Sequence, residues 1–72
     1  MSLAMDQFSL VLRQLREERG WSQEQLAERA DLNRSYLGEV ERGHAIPSLI
    51  TVSKLACALE MQLSSLIARC EL

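Results

Sequence analysis

Residues 20–43, GWSQEQLAERADLNRSYLGEVERG, contain two short helix-forming runs, each with its own start signal and its own stop. Ser22 and Gln25 stand in capping-box spacing: the serine hydroxyl can accept from the Gln25 backbone, and the glutamine side chain can reach back to the Ser22 backbone. Trp21 before the cap and Leu26 four residues inside it suit a hydrophobic staple, so two independent signals agree on this start. The run puts Leu26, Ala27 and Ala30 on one face and ends near Ala30. Asn33 is then the N-cap of a second run, with Leu37 and Val40 inward and Gly43 as its stop. Helices this short are not stable alone in water. The two must therefore pack on each other across a tight turn, which narrows the folds open to the chain more than any other feature.

Three more helices surround this pair. Phe8, Val11, Leu12 and Leu15 fall at i, i+3, i+4 and i+7, predicting an amphipathic helix from about Asp6 to Arg19 that Gly20 ends. HAIP (44–47) is a loop, because Pro47 disfavours helix at Ile46. From about Ser48, the pattern Leu49, Val52, Leu55, Ala56, Leu59 predicts a fourth helix. A fifth runs from about Leu63 to Ala68 or Arg69, weakly capped by Gln62. Residues 1–72 form one domain, with the first five, MSLAM, read as disordered or left over from expression.

Composition agrees with an all-α domain: 47% of the 72 residues are apolar, Gly and Pro are scarce, and only Phe8, Trp21 and Tyr36 are aromatic. No apolar run approaches the ~18–20 residues that span a bilayer, no signal peptide is visible, and a cytoplasmic location follows. Cys57 and Cys70 lack metal-ligand spacing and read as two reduced thiols. No metal or cofactor is expected. His44 is the only histidine and has no acid or nucleophile at a useful spacing, so an enzyme is not expected. The net charge of −2 argues mildly against nucleic acid, but it is a blunt test because binding depends on which face carries the cations.

Two short helices at a steep angle joined by a tight turn are the geometry of the helix-turn-helix. The unit needs a small residue where its helices approach, which Ala27 supplies, and apolar residues facing inward, here Leu26, Ala30, Leu32, Leu37 and Val40. Its turn must admit a left-handed residue, which Asp31 can do at some cost. The outer face of its second helix must stay polar to read base edges, and Arg34, Ser35, Gly38, Glu39 and Arg42 leave it so.

On the segments LRQLREERGWSQEQLAERA, YLGEVERG, PSL and LACALEMQLSSL, the chain resembles the phage-repressor (Cro/CI, XRE-like) helix-turn-helix family. LNRSYLGEVERG and the short length look most like the small controller proteins of restriction–modification systems. The resemblance implies a compact five-helix, lambda-repressor-like domain. It also implies a homodimer that regulates transcription by binding double-stranded DNA with a dyad-symmetric operator. Three residues depart from the family pattern: Asp31 stands where the turn Gly is usual, Glu60 where Gly follows the fourth helix, and Gln62 where a better cap is usual.

With the recognition helix at about 33–42 in the major groove, Arg34 is the first candidate base reader, its fork matching the O6 and N7 acceptors of guanine. Ser35 and Glu39 follow, with Glu39 also able to pair with Arg34 or Arg42 instead. Gln23 sits where a helix start favours a phosphate, and Asn33, Tyr36, Arg42, His44 and Ser48 would complete the contacts to the DNA backbone. The family pattern makes Arg16 and Glu41 a structural ion pair. Met61, Leu63, Ile67, Cys70 and Leu72 exceed what a small core needs and are assigned in part to a dimer seam, although Leu63, Leu66 and Ile67 could simply close the monomer core. Two other functions fit the same module: an antitoxin, marked by a co-purifying toxin, and a protein-interaction domain that has lost DNA binding, marked by occlusion of Gln23 and Arg34. No small-molecule ligand is expected.

Overall fold

The computed structural model describes residues 3–70, which form five helices and no strand: α1 Leu3–Glu18, α2 Gln23–Arg29, α3 Arg34–Glu41, α4 Leu49–Ala58 and α5 Leu63–Arg69. The helices pack into a body of 26 × 24 × 22 Å. Leu12 and Leu15 of α1, Leu26 of α2, Leu37 and Val40 of α3, Leu55 and Leu59 at the end of α4, and Leu66 of α5 are sealed in one core. Leucine dominates because every helix contributes a narrow stripe, with Phe8 the one buried aromatic ring among the described residues. α1 begins at Leu3, ahead of the expected Asp6, so part of MSLAM is helical.

The capping box on α2 has the expected form, with Gln25 N donating to Ser22 Oγ (3.1 Å) and Ser22 N donating to Gln25 Oε1 (2.8 Å). Asn33 caps α3, its Oδ1 accepting from the backbone of Ser35 (2.8 Å) and Tyr36 (3.3 Å). Ser48 caps α4. Gln62 occupies the cap position of α5 without a side-chain hydrogen bond.

One stop recurs at the ends of α1 to α4. Gly20, Asp31, Gly43 and Glu60 all have positive φ, between 56° and 76°. The residue after each donates its N–H five positions back: Trp21 to Arg16 O (3.2 Å), Leu32 to Ala27 O (2.8 Å), His44 to Glu39 O (2.9 Å) and Met61 to Ala56 O (2.9 Å). The left-handed residue itself bonds three back, as in Gly20 to Glu17 O and Glu60 to Cys57 O, both 3.0 Å. These are Schellman motifs, whose next residue folds an apolar side chain onto the helix it terminates. Trp21, Leu32 and Met61 do so, half-buried against the core.

Side chains tie α1 to the rest. Ser9, buried, donates its hydroxyl to Val40 O of α3 (2.8 Å). Arg19 caps two helix ends together, donating to Leu15 O (3.1 Å) and Leu59 O (2.7 Å).

Candidate nucleic-acid interface

Glu41, in the last turn of α3, has a side chain fully removed from solvent. A carboxylate placed there must be matched, and it is. Arg16 grips it in a two-pronged contact, Nε to Oε2 at 2.8 Å and Nη2 to Oε1 at 3.1 Å, while Arg16 Nη1 donates to Trp21 O at 2.8 Å. Gln23 Nε2 adds a fourth bond, to Glu41 Oε1 at 3.1 Å. One network thus joins α1, the turn after it, the start of α2 and the end of α3. The bond to Glu41 raises the Arg16 guanidinium further above its ordinary value, against the opposing pull of burial.

This clamp fixes how α3 presents its outer surface. Arg34 and Ser35, in its first turn, are exposed, and among the described residues Arg34 has no ionic or side-chain hydrogen-bond partner. At the far end, Glu39 is engaged: its carboxylate takes Arg42 Nη2 at 3.4 Å and His44 Nδ1 at 3.3 Å. Of the two pairings open to it in sequence, the one with Arg42 forms and the one with Arg34 does not. Arg42 and His44 thus stand against the carboxylate expected to read a base, all three side chains being about half exposed.

Gly38 is not on the open face. It is buried, and a Cβ built on it would lie 3.2 Å from Arg42 Nη1 and 3.5 Å from Gln23 Oε1. Arg42 therefore lies back across α3 in the space a side chain would have filled, beside Gln23. Gln23 has one amide hydrogen held by Glu41 and keeps the second. Asn33 has its carbonyl oxygen committed to the cap and its amide hydrogens free of that role. Tyr36 is half-buried against the core. Ser48 is less available than expected, since its hydroxyl donates to Thr51 Oγ1 and accepts from Thr51 N, both at 3.1 Å.

One residue of the expected C-terminal seam, Cys70, is placed elsewhere. Cys70 has no exposed surface, packs in the monomer core and donates its thiol to Leu66 O at 3.3 Å. The free cysteine at the surface is Cys57 instead. Met61, Leu63 and Ile67 are half-buried against the same core, and Leu72 lies outside the described residues. Leu49, expected inward on α4, is exposed. The helical period assigned it correctly to a helix, but the side of the first turn that is buried is the one carrying Thr51 and Val52.

A helix-turn-helix family model, HTH_3, matches residues 12–66. The chain is 45% identical over 56 residues to an immunity repressor protein of Bacillus phage phi105, covering 78% of this chain and 39% of the relative. It is 38% identical over 60 residues to the HTH-type transcriptional regulator SutR of Escherichia coli, covering 83% and 34%. It thus spans only about a third to two fifths of the length of these two relatives. Among solved structures, the restriction-modification controller protein C.AhdI from Aeromonas hydrophila superposes with a TM-score of 0.82 at 45% identity, covering 86% of this chain and 94% of that one. The capped pair α2 and α3, the clamp behind it and these matches lead to one assignment: the chain belongs to the HTH_3 helix-turn-helix family, of the Cro/CI, XRE-like kind.

Proposed function

We propose that the chain is a sequence-specific transcriptional regulator that binds double-stranded DNA as a homodimer, with α3 in the major groove of each half-site. The observation that carries this reading is the first turn of α3. There Arg34 and Ser35 are exposed, with no ionic partner for Arg34 among the described residues, on a helix whose other end is locked by Arg16 and Glu41. N-terminal residues of a recognition helix are the ones that reach base edges, and a pre-positioned arginine loses little freedom on binding guanine. The similar proteins support it too, since a regulator, a phage repressor and a controller protein all share this unit.

The remaining roles belong to the same proposal. Arg42 and His44, held side by side by Glu39, contact the DNA backbone, and Glu39 acts as their positioning residue. Gln23 offers its second amide hydrogen, and Asn33 its amide, to phosphates. Tyr36 stands at the rim of the same face. A single such domain covers few base pairs, so a useful operator needs two copies about 34 Å apart, one turn of B-DNA. The protein acts where the DNA is, in the cytoplasm.

Selection of bound sequences from random duplexes, repeated with Arg34→Ala, tests the proposal. The parent should yield a dyad-symmetric motif, and the variant should lose information at one position in each half-site. Equal and unselective recovery by both proteins would remove it.

A further inference from the structure

At three of the four helix stops, the residue after the left-handed position lays an apolar side chain on the core: Trp21, Leu32 and Met61. The fourth stop, at the end of α3, puts His44 in that place. Its backbone is held like the others, its N–H on Glu39 O at 2.9 Å, after Gly43 at φ 76°. Its ring behaves differently. The side chain is 61% exposed, and Nδ1 lies 3.3 Å from Glu39 Oε2. The contact that usually closes such a stop is apolar; here a titratable pair takes its place, at the end of the helix assigned to the groove. We propose that His44 takes up a proton when the chain binds DNA, so that pH sets the affinity. The inference rests on the DNA-binding reading and adds a control to the same face.

Charge gives this proton its effect. Between Asn33 and Ser48 the charged residues are Arg34, Glu39, Glu41 and Arg42. Glu41 is buried and matched by Arg16. Arg34 and Arg42 against Glu39 leave that stretch with a single surplus positive charge on its exposed side, and a proton on His44 doubles it. The groups facing the imidazole are few. From α3 come Glu39 and Arg42, whose Nη2 lies 3.4 Å from Glu39 Oε1; from α2 comes Gln23, beside Arg42 and uncharged. Among the described residues no other charged side chain pairs with His44 or Glu39.

With the imidazole neutral, Arg42 alone balances the Glu39 carboxylate. Once it is protonated, two cations share one carboxylate, and the surplus charge faces the phosphates. A nearby phosphate favours the charged imidazole. By reciprocity the proton then favours the phosphate. The sign follows: affinity is highest at acid pH and is lost as pH rises. Histidine is the side chain whose ordinary titration falls between pH 5 and 8, and His44 is the only one in the chain, so no second imidazole blurs the readout.

Fluorescence anisotropy with a labelled duplex carrying the selected motif, read at about pH 6 and about pH 8 in one salt concentration, tests the proposal on the full chain. The wild type should bind roughly fivefold or more tightly at the acid end, as expected where a phosphate holds the proton about ten times more tightly than water does. Its slope of log affinity against log salt should be steeper there by ~0.9 per protomer. His44→Gln should bind at the weaker level at both pH values and His44→Lys at the tighter level at both, each keeping the wild-type helical circular dichroism. Calorimetry near neutral pH in two buffers of different ionisation enthalpy counts the protons directly: uptake by the wild type, none by either variant. A wild type with equal affinity at both pH values, a pH dependence that survives in His44→Gln, or binding without proton uptake would each overturn the proposal. A duplex bound selectively and equally well at both pH values would leave the DNA reading standing. No binding to any duplex at either pH would sink both.

Discussion

Replacing Arg16 with methionine keeps most of the stem volume and removes the charge, leaving Glu41 buried with only the Gln23 amide for a partner. Breaking one side of such a pair costs about 3–5 kcal/mol, because the remaining charge is stranded away from water. A 72-residue domain has on the order of 4–11 kcal/mol of stability in total. Arg16→Met should thus remove about a quarter of it or more, and at about 4–8 °C per kcal/mol lower Tm by more than ~12 °C. Arg16→Met combined with Glu41→Leu removes both charges and should recover most of the loss, ending within about 1 kcal/mol of the wild type. Urea denaturation followed by circular dichroism on all four proteins measures the cycle. On the guanidinium side the sign is clear. The folded value is raised, so its contribution is fully present below the unfolded value and is lost only as pH rises through the folded one, beyond the range of ordinary buffers. Losses that simply add in the double variant, or a single-variant loss under about 1 kcal/mol, would show that the two residues are not a clamp.

Other outcomes follow from separate features. Glu60→Gly relieves a left-handed conformation costing roughly 1–2 kcal/mol and forfeits about 0.5–1 kcal/mol of chain entropy, so thermal melting should show a gain of about 0.5–1 kcal/mol. Gly38→Ala should gain a similar amount in helix propensity while pushing the flexible tip of Arg42 outward; a melt combined with a filter-binding assay should report higher stability and altered DNA affinity together. A thiol reagent should modify Cys57 in the native protein and Cys70 only on unfolding. Burial raises the Cys70 thiol above its ordinary value, so the unfolded chain releases that proton first, and stability falls as pH climbs past about 8.5, a slope that Cys70→Ala should lack. Arg42→Ala should reduce the slope of log affinity against log salt by about 0.9 per protomer if it holds one phosphate, whereas Arg34→Ala should mainly relax base preference.

The elements were legible where the signal was local. Ser22 with Gln25, Asn33 ahead of Ser35 and Tyr36, and Gly20 and Gly43 as stops all act within one turn of themselves, so short-range spacing carries the information. Asp31 was legible as a left-handed turn residue despite its side chain, because two helices that close leave the chain no other way through. What failed was the assignment of surface. Cys70 read as a surplus apolar group, yet it fills the core. Leu49 fits the helical period but is exposed, and periodicity does not record where a core ends. Arg42 folding back over Gly38 to lie 3.4 Å from Glu39 depends on a rotamer that spacing does not encode.

The four repeated stops have a kinetic consequence. Since each helix carries its own termination in the two or three residues that follow it, little of the architecture waits on distant segments finding one another, and chains of this sort fold in microseconds to milliseconds. A newly made copy is then folded almost at once, without waiting for the rest of the chain to search for it.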